Sequence, residues 1–194
     1  MNTKGYVQVY TGNGKGKTTA ALGITMRASG AGMKIAFIQF MKALGYSEQK
    51  ILPTLPGVTW KTLGKPFFIA KAGCISAEDL ARYGDACVVF EEGNPPEEYV
   101  KMINEGFTDA KEMVMSGDYD MVVLDEINCA MFFGLIDVSE VLELIKNKPV
   151  HTELILTGRC APDEIIEAAD LVTEMREIKH YYNDGVQARK GIEN

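Results

Sequence analysis

Between the β-forming run Tyr6–Tyr10 and the Ala-, Leu-, Ile- and Met-rich stretch Thr18–Ser29, the chain carries Thr11-Gly12-Asn13-Gly14-Lys15-Gly16-Lys17-Thr18-Thr19. Alternating glycines allow backbone turns that side chains forbid, and a strand before with a helix after dictates where those turns lead. Successive N–H groups point inward at an anion, and the start of the following helix adds the positive end of its dipole. The segment approximates G-x-x-x-x-G-K-[ST], with Thr11 at the first pattern position and the glycine one residue later at Gly12. A phosphate-binding loop is therefore expected from Gly12, Asn13, Gly14, Lys15, Gly16, Lys17, Thr18 and Thr19. Its lysines neutralise phosphate, Thr18 stands where a hydroxyl binds Mg²⁺, and Lys17 and Thr18 are expected to be exposed to the ligand.

The helix ends near Gly30 and Gly32, and Lys34–Gln39 reads as a second strand, which completes a βαβ unit. The alternation continues with a helix at Ser47–Leu55 and a strand at Val58–Leu63. Cys87–Phe90 is either a short strand or the end of a helix beginning near Ser76. Pro95 and Pro96 break the chain before a helix at Glu97–Met115. Then come a strand at Met121–Leu124, a helix at Asp137–Lys146, a strand at His151–Leu156, a helix at Ala161–Ala169 and a last core strand at Leu171–Met175. Continuous apolar strands alternating with helices imply an α/β, P-loop NTPase-like fold, a mainly parallel sheet with helices on both faces. The 194 residues, 46% of them apolar, suit one domain spanning 1–194.

Charge and cysteine usage exclude other classes. Residues 1–75 hold ten Lys or Arg and a single acid, Glu48, whereas the remainder holds ten basic and 26 acidic residues. The basic part suits an anionic ligand, and the net charge of −7 argues against nucleic acid as a partner. There is no membrane-length apolar run and no secretory signal. Cys74, Cys87, Cys129 and Cys160 form no C-x-x-C pair, which fits a reduced, cytoplasmic protein whose cysteines are buried or incidental.

A second chemical feature is Met121-Val122-Val123-Leu124-Asp125-Glu126, an apolar strand ending in two acids. In a parallel sheet that end shares a rim with the glycine loop. Glu126 or Asp125 beside Thr18 would hold Mg²⁺, with Glu126 the first choice and Asp125 a supporting or alternative ligand. Together the two features specify Mg-nucleotide binding without specifying the reaction. Phosphoryl transfer by a small-molecule kinase and nucleotide binding without turnover both remain open to such a chain.

The loop TGNGKGKTTAA, Arg27 with Gly30 and Gly32, Phe37-Ile38-Gln39-Phe40, DMVVLDEIN at 120–128, LILTGR at 154–159 and ADLVTEMREIKHYYNDGVQARKGIE at 169–193 together resemble the ATP:corrinoid adenosyltransferases of cobalamin assimilation. The resemblance covers most of the chain in the family's order, and the closing segment is its most specific part. Two departures stand out. An arm found before the first strand of many members is essentially missing, and residues 64–98 look longer and different.

The resemblance implies transfer of the 5′-deoxyadenosyl group of ATP to the cobalt of a reduced corrinoid, with release of triphosphate. Cobalt is then the nucleophile, so no Ser, Cys or His nucleophile is required. Lys17, Thr18 and Glu126 would carry catalysis with Mg²⁺. Arg27 and Arg159 would contact the nucleotide, although a surface or salt-bridging role suits either arginine equally well. His180 reads as structural. Trp60, Phe67 and Phe68 lie where members turn aromatics toward the corrinoid, and they suit a plain core as well. The acidic run 91–98 reads as a solvated turn. An electron-donating reductase or flavin and a homodimer are implied partners.

Overall fold

The computed structural model describes residues 4–194. Its strands are β1 (Val7–Thr11), β2 (Ile35–Phe40), β3 (Val58–Leu63), β4 (Phe68–Lys71), β5 (Cys87–Phe90), β6 (Met121–Asp125), β7 (Glu153–Thr157) and β8 (Leu171–Glu174). Its helices are α1 (Lys17–Gly30), α2 (Ala77–Tyr83), α3 (Glu97–Met115), α4 (Ile127–Phe132), α5 (Val138–Asn147) and α6 (Asp163–Ala168). Six strands make one sheet in the order β3-β2-β6-β7-β1-β8, every neighbouring pair parallel. β4 and β5 pair separately, also in parallel.

Alternating side chains divide the core into two layers. Ile35, Phe37, Met121, Val123 and Ile155 meet Ala21 and Ala28 of α1 on one face. Ala36, Ile38, Phe40, Val122, Leu124, Leu154 and Leu156 meet α3, α4, α5 and α6 on the other. Helices on both faces explain why the central strands are apolar throughout. α3 presents Tyr99, Ile103, Phe107, Ala110 and Val114 to the core, one helical stripe of buried residues. It rides so close over β3 that a Cβ on Gly106 would lie 2.1 Å from a methyl of Leu63. Burial of a Phe or Ile in these layers contributes roughly 1.5–3 kcal/mol, so either layer outweighs any single surface ion pair.

Two expectations are corrected. Ser47–Leu55 forms two short 3₁₀ turns, Ser47–Lys50 and Leu52–Thr54, in place of a helix. Pro53 within it has no N–H to donate, and Pro56 follows directly. The last strand, β8, is an exposed edge and not a core strand. β4, its pairing with β5, and α4 were unforeseen. Cys87–Phe90 is the strand of the two alternatives, β5, and the helix beginning near Ser76 is the separate α2, which ends at Tyr83.

The C-terminal ends of β1, β2, β6 and β7 stand side by side, so the segments following them converge on one rim. Ligands bind at that rim in parallel α/β sheets.

Candidate nucleotide site

β1 runs into the glycine loop at Gly12, and α1 begins at Lys17. Gly16, the residue before the helix, has φ 122°, a conformation that side chains resist. Gly12 and Gly14 have a second reason to be glycine. The backbone of Met175 and Arg176 passes so close that a Cβ on Gly14 would fall 2.7 Å from it, and Gly14 N–H donates to Met175 O at 2.6 Å. That amide is therefore committed to the protein.

Lys17 is buried, not exposed as expected, at 7% accessibility. Its Nζ donates to the carbonyls of Gly12 and Gly14 at 2.7 and 2.8 Å and braces the loop from within. Burial holds this ammonium below its ordinary pKa, against the upward pull of Glu126.

Thr18 Oγ1 donates to Asp125 Oδ1 at 2.9 Å. Asp125 is fully buried at the end of β6. Its carboxylate also accepts from Thr157 Oγ1 at 2.7 Å and Gln39 Nε2 at 3.4 Å, and it pairs with Lys42 Nζ at 3.2 Å. Glu126 starts α4 in the left-handed region with φ 64°, and its N–H donates to Thr157 Oγ1 at 3.0 Å. Its side chain accepts from Cys129 Sγ at 2.9 Å. Burial, and then the neighbouring Asp125, push the Glu126 carboxyl pKa up. The carboxylate on the Thr18 hydroxyl is thus that of Asp125, the acid ranked second from sequence.

A cavity of about 740 Å³ opens over these groups, within the range of small-molecule sites. Gly14 to Thr19, Lys42, Glu126, Cys129, Arg159 and His180 are among its lining residues. Gly12 and Asn13 are not, nor is Arg27, which stands exposed in the last turn of α1, about 15 Å along the helix from Lys17. Arg27 therefore does not border this cavity. Trp60 packs on the α1 face and donates to Gln39 Oε1 at 3.1 Å. Phe67 meets Tyr99 edge-on, and only Phe68 of the three aromatics lines the cavity. Of the cysteines expected to be buried or incidental, Cys74 and Cys160 are exposed and Cys87 and Cys129 are partly buried.

Several participants escaped the sequence reading. Lys42 follows β2 at the ligand rim and joins Asp125 to Glu48 Oε1 at 3.3 Å. Its position after a core strand, and Glu48 as the single acid of the basic third, were the available signals. Burial opposes charge on Lys42, but Asp125, Glu48 and Glu126 outweigh it, and its pKa is raised. At the opposite wall Lys15 Nζ contacts Glu193 Oε1 at 2.8 Å and Tyr181 Oη at 3.1 Å, so residues 180–193 close over the loop. Glu193 also bonds Arg189 and Tyr181.

A glycine loop, a buried carboxylate on its threonine and a closing segment folded against it form one arrangement, and the sequence that builds it is similar to known proteins. A family profile described as ATP:corrinoid adenosyltransferase BtuR/CobO/CobP matches residues 3–194. A corrinoid adenosyltransferase of Sinorhizobium sp is 37% identical, over 98% of this chain and 80% of its own length. That of Escherichia coli K12 is 31% identical, over 100% of this chain and 87% of its own length. Corrinoid adenosyltransferase CobA of Salmonella typhimurium is 32% identical, over 98% and 86%. With loop, strand-end acids and closing segment all inside a match that runs nearly end to end, the chain belongs to the ATP:corrinoid adenosyltransferase family.

Proposed function

We infer that this cavity transfers the 5′-deoxyadenosyl group of ATP to the cobalt of a reduced corrinoid. The family's reaction forms a bond between cobalt and the 5′ carbon while the bond from that carbon to the triphosphate oxygen breaks. Cobalt supplies the electron pair, and triphosphate leaves with the pair of the broken bond. The observation that carries this reading is the junction of the closing segment with the loop, through Gly14 to Met175 and Lys15 to Glu193. Phosphate loops are shared by many enzymes, whereas this closing segment is what the chain has in common with this family.

The residues suit a reaction that needs no protein nucleophile. Cys129 is the one cysteine lining the cavity among the described residues, and burial with Glu126 beside it pushes its thiol pKa well up, so it stays protonated. His180 Nδ1 accepts the Tyr182 N–H at 3.0 Å and is held by its own turn. What remains is a grip on the leaving group. Lys17, Lys15 and the N–H groups opening α1 offer positive charge to the triphosphate, where it is worth most as charge develops. Arg159, exposed at the same wall, is placed to add to that grip.

Magnesium fits the residues present. Thr18 and Asp125 set a hydroxyl and one carboxylate side by side, the oxygen donors Mg²⁺ takes alongside phosphates and water, and Glu126 lines the same cavity. Mg²⁺ would neutralise the leaving triphosphate. We also propose an electron-donating reductase or flavin as partner, a homodimer and a cytoplasmic setting, as the family resemblance implies. No helix among the described residues is long and apolar enough to cross a membrane.

The test is product identity. ATP, Mg²⁺ and chemically reduced cobalamin should give adenosylcobalamin and triphosphate in equal amounts, read by the corrinoid spectrum and by chromatography of the nucleotides. ADP as the main product whether or not corrinoid is added would point to a kinase or ATPase and remove this reading.

A further inference from the structure

Asp125 has no exposure, and the one cation it pairs with among the described residues is Lys42. Lys17, the other lysine near it, is turned onto the carbonyls of Gly12 and Gly14. Lys42 Nζ lies 3.2 Å from Asp125 Oδ2 and 3.5 Å from Thr18 Oγ1. Those are the two side chains assigned above to Mg²⁺, so an ammonium stands where the metal would enter. A third contact is Glu48 Oε1 at 3.3 Å, and the Tyr46 ring is 5.1 Å from the same nitrogen. Lys42 is therefore held between two anions, Asp125, assigned above to the metal, and Glu48, which is not.

We propose that Lys42 is a tethered cation that balances Asp125 before the metal arrives, and that it withdraws onto Glu48 and the Tyr46 ring as the divalent ion enters. The proposal rests on the placement of Mg²⁺ between Thr18 and Asp125. Two cations against one buried carboxylate repel strongly at such distances, so the metal and the ammonium compete for Asp125. A buried carboxylate without a counter-charge is destabilising, which gives the lysine its purpose in the ligand-free protein. Competition of this kind sets metal affinity low until the phosphates of ATP contribute their own oxygens. The enzyme then takes up its metal together with the nucleotide, and free divalent ions do not accumulate in the empty cavity. The turn carrying Lys42 is anchored for this role. Thr62 Oγ1 donates to Lys42 O at 2.6 Å, and Gly64 packs so tightly that a Cβ there would fall 2.2 Å from the Lys42 carbonyl carbon. The backbone is fixed, so any change of partner falls to the long side chain, whose nitrogen already touches both Asp125 and Glu48.

Manganese is a suitable probe, because its free aquo ion is counted directly by electron paramagnetic resonance. The full chain and its Lys42→Met, Lys42→Arg and Lys42→Met/Asp125→Asn variants are titrated with Mn²⁺ without nucleotide. Lys42→Met should bind Mn²⁺ at least roughly tenfold more tightly than the unaltered chain. Lys42→Arg, which keeps the cation, should not gain, and Asp125→Asn added to Lys42→Met should abolish the gain. Lys42→Met should also melt lower than the unaltered chain and be raised more by Mn²⁺. Where Lys42→Met fails to fold, Lys42→Gln carries the same titration. Equal or weaker Mn²⁺ binding without the lysine overturns the proposal, as does a gain in Lys42→Arg. An Asp125→Asn titration with Mn²⁺ plus ATP separates the two layers of the argument. Unchanged affinity there removes the metal placement itself. Weakened affinity there, with no gain in Lys42→Met, removes only the role of Lys42.

Discussion

Lys17 joins two features that are usually met by different groups, because it lines the cavity while its ammonium bonds two carbonyls of its own loop. Lys17→Ala removes a preorganised charge from a cavity wall, and a lost contact of that kind costs roughly 2–4 kcal/mol in the transition state. We expect kcat/KM for ATP to fall by roughly 30- to 900-fold, with circular dichroism showing a folded chain. Lys17→Arg should not restore it, since a planar fork does not fit between carbonyls arranged around a point charge. Near-normal turnover of folded Lys17→Ala would contradict the assignment. At this scale the sequence was readable where chemistry is local. Thr18 belongs to a contiguous motif, and the strand-end acids follow their strand directly. Lys42 and Glu193 were not readable, because each meets its partner across 83 or 178 positions with no local pattern to announce it. That Asp125 and not Glu126 meets the Thr18 hydroxyl was hidden for a related reason. The left-handed turn at Glu126 swings its side chain toward Cys129, and nothing in the letters marks that turn.

The stretch beginning with the 3₁₀ turn Tyr181–Asp184 brings Gly191 to Asn194 to the cavity wall. Arg189, with Lys15 and Tyr181, holds the Glu193 carboxyl far below the usual carboxylate range. A depressed acid contributes stability that is present above its unfolded pKa, near 4.5, and is lost as pH falls through the folded value. Between pH 5.5 and 8 the contact of this segment with the loop should therefore not change. Hydrogen exchange of residues 181–194, corrected for intrinsic rates, should be flat over that window, and Glu193→Gln should exchange faster throughout it. A steep loss of protection between pH 8 and 5.5 in the unaltered chain would refute this. Elements of the sheet were largely legible, since β2, β3 and β6 fall within a residue or so of their apolar runs. The stretch containing β4, α2 and β5 was not. Strands of four residues with two exposed positions in β5 carry too little periodicity to be separated from a helix end.

For the molecule as a whole, ligand binding and folding are coupled, because the cavity is built from segments at both ends and the middle of the chain. A ligand at 100 times its dissociation constant adds about 2.7 kcal/mol to the folded state. For a chain of this size that corresponds to a rise in Tm of roughly 5–10 °C with MgATP. No rise at any MgATP concentration would mean that the cavity does not bind it. The strand order carries a different consequence, one of timing during synthesis. β1 is made first, yet its two neighbours are β7 and β8, whose residues begin only at Glu153 and Leu171. At ordinary translation rates the strand leading into the glycine loop waits roughly 7 to 30 seconds on the ribosome with both edges bare. β2, β3 and β6 can pair meanwhile, so the nascent chain holds half a sheet and a solitary strand. Bare edges template wrong pairings, and the first strand out is the one whose misplacement would disable the site. Shielding of this N-terminal strand by a chaperone at the tunnel exit would therefore protect function before it protected solubility.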